Sequence, residues 1–310
     1  MRFLVLGAGA LGGFFGARLL KGGADVTFLV RPKRAGQLDR DGLIVKFQDG
    51  EVFGGKVKTV QQGGIDGSYD VVLLTCKAYD LDDAINAIAP AMGPQSAVLP
   101  LLNGISHIDV LKQKFGAQRV LGGLTVINAA LLPDGSIQQS QLRVNITEIG
   151  ELDGQTSARC DAIRAALAAG GIAVDVKHNI VVRLWAKFCG FACNAALATL
   201  TRSRAGGIAR SGAGAAFVAN MLDECARVVT VEGYPPPPDV MALIPGIFAQ
   251  KDSTYGPSML IDMEDGRATE GDHTIGDLAQ RAARHGIAAP LLNAAWCNLQ
   301  AYEINRANKR

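Results

Sequence analysis

The run Gly7-Ala8-Gly9-Ala10-Leu11-Gly12 constrains this chain more than any other stretch, because of what flanks it. Residues 2–6 (RFLVL) form a short apolar run before it. Phe14 to Lys21 then reads as a helix closed by Gly22-Gly23, and Asp25 to Val30 as a second strand. A strand, a glycine turn, a helix and a strand make the context in which G-x-G-x-x-G signifies a dinucleotide site. The first glycine permits the tight turn, the second lets a pyrophosphate approach the backbone, and the third allows close packing of helix on strand. The helix N-terminus adds free N–H groups and a partial positive charge for the phosphates. A merely glycine-rich turn is the competing explanation, and the flanking periodicity argues against it. The uncharged run from Phe3 to Ala17 falls short of the ~20 residues of a membrane span, five glycines interrupt it, and no other segment is read as a span, so no membrane partner is expected.

The end of the second strand distinguishes one dinucleotide from another. An NAD site carries Asp or Glu about 20 residues past the fingerprint, to hold the ribose 2′-hydroxyl. Here Arg31 stands 19 residues past Gly12, followed by Lys33 and Arg34, while the nearest acids are Asp25 and Asp39. A guanidinium offers a planar fork to a 2′-phosphate that a carboxylate would repel. NADP (NADPH) is therefore the expected cofactor; a solvated basic loop is the alternative.

More αβ units follow. Asp70 to Cys76 is a continuous apolar strand of the kind buried on both faces of a parallel sheet. Lys77 sits at its C-terminal end, where open α/β sheets bind ligands. Leu81 to Met92 reads as a helix and Ala97 to Leu102 as a strand, with Asn103-Gly104 just past it. Lys77 and Asn103 are thus candidate cofactor residues, against the plainer readings of a solvated lysine and a turn asparagine. Segments 119–127, 136–139 and 142–150 alternate as further strands, Ser157 to Ala169 is helical, and Ile172 to Val176 is a last strand. Beyond Asn179 the pattern is helical almost throughout, at about 179–201, 212–233, 239–252, 270–285 and 290–306. The fold expected is α/β: a Rossmann-type doubly wound sheet domain over 1–178, then an all-helical C-terminal domain over 179–310.

Composition narrows the function. With 48% hydrophobic and 19% charged residues, the 310-residue chain can bury a large core and is not disordered. A net charge of +2 is too balanced for a nucleic-acid footprint, so no nucleic-acid partner is expected. The six cysteines form no C-x₂-C pair and suit buried free thiols in a reducing cytoplasm. Four histidines show no metal-binding spacing, so no metal is expected, and no G-x-S-x-G elbow appears. The apolar helices around 185–200 and 212–231 suit either a domain core or a homodimer face, which composition does not separate. The remaining chemical candidate is Lys187, the only charge between Arg183 and Arg202 on an apolar helix. Desolvation there would lower its pKa toward that of a proton donor near neutrality; a snorkelling surface lysine is the alternative. Glu270 reads equally as a functional acid or an ordinary helix N-terminal one.

Taken together, GAGALG at 7–12, Arg31, Lys77-Ala78, Asn103-Gly104, LWAK at 184–187, SML with Asp262, and Thr269-Glu270 resemble the ketopantoate reductase family over nearly the whole chain. The resemblance implies that Gly7, Ala8, Gly9, Ala10, Leu11, Gly12 and Arg31 hold NADPH. It places Lys77, Asn103 and Ala129 beside the cofactor. Lys187 would be the catalytic acid that protonates the oxygen of a 2-oxo acid as hydride arrives. Glu270 would orient the site and border the cofactor, and Ser258 would contact substrate. The substrate-facing helix departs from the family. Asparagines stand one and two turns past the lysine in the family, where this chain has Phe191 and Ala195, with Asn194 one residue off. Tyr255 also replaces a polar amide before the Ser-Met-Leu. An apolar wall cannot discriminate for a hydroxyl as a hydrogen-bonding site can. Three readings follow: reduction of 2-dehydropantoate (ketopantoate) in pantothenate biosynthesis, the same chemistry on a more apolar 2-oxo acid, or a non-catalytic NADP(H)-binding sensor.

Overall fold

The computed structural model describes residues 1–141 and 145–308. By packing, the chain divides into two units: Met1–Leu102 with His107–Val181, and Asn103–Ser106 with Val182–Arg310.

In chain order the first unit carries β1 (Arg2–Leu6), α1 (Ala10–Lys21), β2 (Asp25–Leu29), α2 (Pro32–Asp41), β3 (Leu43–Lys46), β4 (Val52–Gly55), β5 (Lys58–Val60), β6 (Val71–Leu74), α3 (Leu81–Ile88) and β7 (Ala97–Pro100). After α4 (Ser106–Phe115) come β8 (Leu121–Val126), β9 (Ala129–Leu131), β10 (Ile137–Gln139), β11 (Ile146–Glu151), α5 (Ala158–Ala169) and β12 (Asp175–Val176). The main sheet is all parallel in the order β5-β2-β1-β6-β7. Its strands are continuous apolar runs because helices cover both faces; Val71, Val72, Leu73 and Leu74 are all buried. Chain order runs outward from β1 toward β2 on one side and resumes at β6 on the other. The crevice outside the C-terminal ends of β1 and β6 is therefore the position where such sheets bind ligands. Two smaller sheets, β4-β3-β10-β9 and β12-β11-β8, complete the unit. Phe3, Phe15, Phe28, Leu38 and Leu43 lie in one buried cluster with them. Arg18 is buried in this unit and survives there by pairing with Asp49 and Glu51 while its guanidinium lies 3.6 Å from the Phe47 ring centroid.

The second unit is helical: α6 (Ile180–Thr201, whose first two residues group with the first unit), α7 (Ala205–Arg210), α8 (Gly214–Val231), α9 (Pro238–Phe248), α10 (Ser258–Glu264), a π-helical turn at Asp272–Gly276, α11 (Asp277–Arg284) and α12 (Pro290–Ala307). Glu224 of α8 is buried, yet its carboxylate accepts the backbone N–H groups of Leu291 (3.1 Å) and Leu292 (2.9 Å). It caps the first turn of α12, where those donors have no helical partner. α6 is long and apolar enough by itself to cross a bilayer (mean hydropathy 1.4), which the sequence reading did not anticipate; 67% of that window is buried in protein, as in a core helix.

Several elements differ from the sequence expectation. The basic stretch after Arg31 is not a loop but the start of α2, with Pro32 at its first position, where a missing N–H costs nothing. The helix expected over 81–92 ends at Ile88, and a 3₁₀ turn at Ala89–Ala91 carries Pro90. The strand expected over 172–176 shrinks to Asp175–Val176. The helix expected over 270–285 divides into the π-helical turn and α11. Of the strand expected over 142–150, β11 is present, and residues 142–144 lie outside the described residues. Cys297 is exposed rather than buried.

Candidate active site

The glycine-rich loop leaves β1 at the central crevice. Gly7 takes φ +84°, a left-handed conformation that side chains disfavour, and this turns the chain into α1. A β-carbon on Gly12 would stand 2.2 Å from the Gly7 carbonyl oxygen, so the loop closes only on a glycine there. At Gly9 the same construction meets nothing within 4 Å, leaving the backbone face open. Gly9 is also the N-cap of α1 and supplies no side-chain cap, and no acid occupies the first turn. The helix thus presents uncapped N–H groups with the positive end of its dipole, an arrangement suited to an anion.

Around this loop stand the basic residues. Arg31 is the N-cap of α2, and its side chain is 77% exposed; its guanidinium meets the Asp80 carboxylate at 3.2 Å. Arg34 turns inward instead: Nε donates to the Ala8 carbonyl (3.0 Å) and Nη1 to the Gly135 carbonyl (2.9 Å) and Gln37 Oε1 (2.7 Å). It thereby ties the glycine loop to the turn between β9 and β10. Lys77 precedes the 3₁₀ turn Ala78–Asp80 after β6. Ala129 begins β9, in the second sheet rather than at the C-terminal ends of the main one, and packs partly buried against the core.

The second unit gathers the other candidates. The Lys187 ammonium donates to Asn103 Oδ1 at 3.3 Å, and Asn103 Nδ2 donates to Glu270 Oε2 at 3.3 Å. One asparagine amide therefore bridges a cation and a carboxylate, where the sequence had placed Asn103 only with the cofactor. Loss of water around the ammonium lowers the Lys187 pKa from 10.5 to about 8, and the negative charge of Glu270 pulls weakly the other way. Glu270 is itself buried and firmly placed. Thr269, beside it, donates its N–H (2.7 Å) and hydroxyl (2.9 Å) to Glu303 of α12, and the Glu270 carbonyl accepts the Thr274 hydroxyl (2.7 Å). The widened π-helical turn follows at once, a feature often found at functional sites.

Between Leu184 and Thr199, α6 leaves little surface accessible. Lys187 and Phe191 are half-buried, and from Ala192 to Thr199 every residue is 0% exposed except Asn194, at 8%. At ~100° per residue, Asn194 lies about 20° around the helix from Lys187, whereas Ala195 lies about 80° away. Ala195, expected to face substrate, has no exposed surface, and Asn194 lies nearer the line of Lys187 around the helix. Asn194 Oδ1 is buried and has no hydrogen-bond partner among the described residues, an acceptor left without its donor. Ser258 begins α10 and is exposed, as is Tyr255.

Arg34, Asp80, Thr274 and Glu303 escaped the sequence reading. Arg34 was noticed only as part of a basic run, and the other three carry no local signal, since their partners are 4 to 49 residues away or are backbone atoms.

Comparison with known proteins adds an independent finding. Residues 3–154 match the family described as ketopantoate reductase PanE/ApbA, and residues 179–303 match its C-terminal domain. An uncharacterized oxidoreductase, YkpB, of Bacillus subtilis (strain 168) is 35% identical over 99% of this chain and 100% of its own. A 2-dehydropantoate 2-reductase of Archaeoglobus fulgidus is 27% identical over 92% of both. Among solved structures, the ternary complex of D-mandelate dehydrogenase with NADH and anilino(oxo)acetate shares the fold, with a TM-score of 0.89 at 24% identity over 99% of this chain and 100% of that one.

Proposed function

The chain belongs to the ketopantoate reductase family, and we propose that this oxidoreductase reduces the C2 carbonyl of 2-dehydropantoate with NADPH, giving pantoate for pantothenate synthesis. The observation that carries the reading is the Lys187–Asn103–Glu270 relay.

The nucleotide fits the residues present. Gly7 to Gly12 leave an open backbone face at Gly9 and an uncapped helix end for the pyrophosphate. Arg31 and Lys33 sit at the N-terminus of α2 with no acid in its first turn, so dipole and side chains favour an added phosphate together. Lys77 and Ala129 complete the set that would border it. When bound, the reduced nicotinamide supplies the hydride.

The chain's own residues handle the proton. With a pKa of about 8, Lys187 is mostly protonated at neutral pH yet gives up its proton far more readily than a solvent-exposed lysine. Its ammonium stabilises charge developing on the carbonyl oxygen and then transfers a proton to it. Asn103 holds the ammonium by its amide oxygen, and Glu270 holds Asn103 by its amide nitrogen, so the amide cannot flip without losing both contacts. Along α6, Phe191 suits the apolar carbons next to the carbonyl, and the Asn194 oxygen suits a terminal hydroxyl as its missing donor. Ser258 would take the substrate carboxylate.

Replacing Lys187 with Ala should lower kcat by ~10²–10⁴ while NADPH titration gives a Kd within about threefold of the parent. Unchanged turnover would refute the mechanism. A parent protein that binds NADPH but turns over no 2-oxo acid would favour a nucleotide sensor instead. Phe191, half-buried one turn from Lys187, favours a second reading in which the same chemistry acts on a bulkier, more apolar 2-oxo acid.

A further inference from the structure

The position of Arg31 raises a question about nucleotide choice that rests on the proposal above. Arg31 lies two residues past β2, and Asp80 six residues past β6. In the sheet, β1 stands between those two strands. The Arg31–Asp80 ion pair therefore straddles the C-terminal end of β1, where the glycine loop emerges. A cation expected to receive a phosphate is thus already engaged by a carboxylate of the chain. Both partners reach solvent, at 77% and 35% exposure, and such pairs are weak enough for a ligand to displace. Yet an anion arriving at Arg31 must compete with Asp80 and then lie beside its negative charge. A dinucleotide without the 2′-phosphate meets no such opposition. Its ribose hydroxyl is a donor, and Asp80 supplies from the β6 side the kind of carboxylate acceptor that NAD sites place at the end of β2.

We propose that Asp80 sets the nucleotide preference of this enzyme: by competing for Arg31 it holds discrimination for 2′-phosphorylated dinucleotides to a modest ratio and keeps the unphosphorylated form usable. The Asp80 side chain makes no capping hydrogen bond to α3, so removing its charge leaves that helix start intact.

Binding of the non-reacting halves, 2′-phospho-ADP-ribose and ADP-ribose, measured by calorimetry at low salt, separates this from effects on turnover. Asp80→Asn should tighten the phosphorylated fragment about three- to fivefold and weaken ADP-ribose by about two- to fivefold, as the charged acceptor for its hydroxyl is lost. Asp80→Ser should do the same, which guards against a fault peculiar to one variant. Arg31→Ala should abolish the preference. Weaker phosphorylated-fragment binding in Asp80→Asn, or an unchanged ratio with both fragments bound, would overturn the role of Asp80 alone. Failure of the parent protein to bind either fragment would overturn the nucleotide reading as well.

Discussion

On the proposed function, Lys187 would act through a conflict between burial and charge. Its pKa near 8 lies below the 10.5 of a solvated lysine, so folding disfavours the charged form. The penalty is fully present below pH 8, shrinks as pH rises between the two values, and is absent above 10.5. Lys187→Met should therefore raise Tm at neutral pH, by a stabilisation on the order of 2–3 kcal/mol, while activity is lost. An unchanged or lower Tm would show that the ammonium sits in a wetter place. The same titration sets a pH profile. Because carbonyl reduction needs the proton, kcat/KM should fall about tenfold per pH unit above 8, while oxidation of the 2-hydroxy acid, which needs the neutral amine, should rise through the same range. Asn103→Ala leaves the ammonium and Glu270 without their shared amide. It should cut kcat by ~10–10² and move the pH limb, whereas a loss confined to the cofactor KM would return Asn103 to the nucleotide. The sequence made Lys187 legible because it is a single charge on an apolar helix. The Asn103 bridge was not legible, because its partners lie 84 and 167 residues away.

Among the elements, α6 would set specificity through rotation on the proposed function. By sequence Asn194 stands one residue off positions 191 and 195; around the helix it lies nearer Lys187 than Ala195 does, and it keeps 8% exposure where Ala195 has none. Asn194→Leu should raise the KM for ketopantoate by about tenfold or more while leaving 3-methyl-2-oxobutanoate, which lacks the hydroxyl, nearly unaffected. Equal effects on both substrates would mean that Asn194 supports packing only. Strands of the main sheet were readable because burial on both faces makes them continuous apolar runs. α2 was not, since Leu38 is its only buried residue and leaves no apolar period to detect. α10, at seven residues, is too short to show one.

For the whole molecule, the fingerprint and the change to helices after Asn179 were enough to infer an α/β unit followed by a helical one. Packing adds that the loop Asn103–Ser106 groups with the helices, where Asn103 meets Lys187 and Glu270 within the second unit. That arrangement makes the loop's Asn103 depend on Lys187 and Glu270 for its place. The most direct test of the account is the ratio of kcat/KM for ketopantoate over 3-methyl-2-oxobutanoate, followed by NADPH oxidation. The account predicts a ratio of about 100 or more in favour of ketopantoate, from the hydrogen bond that Asn194 can accept. A ratio near one, or one favouring the alkyl acid, would contradict it and make the Phe191 wall the determinant of substrate.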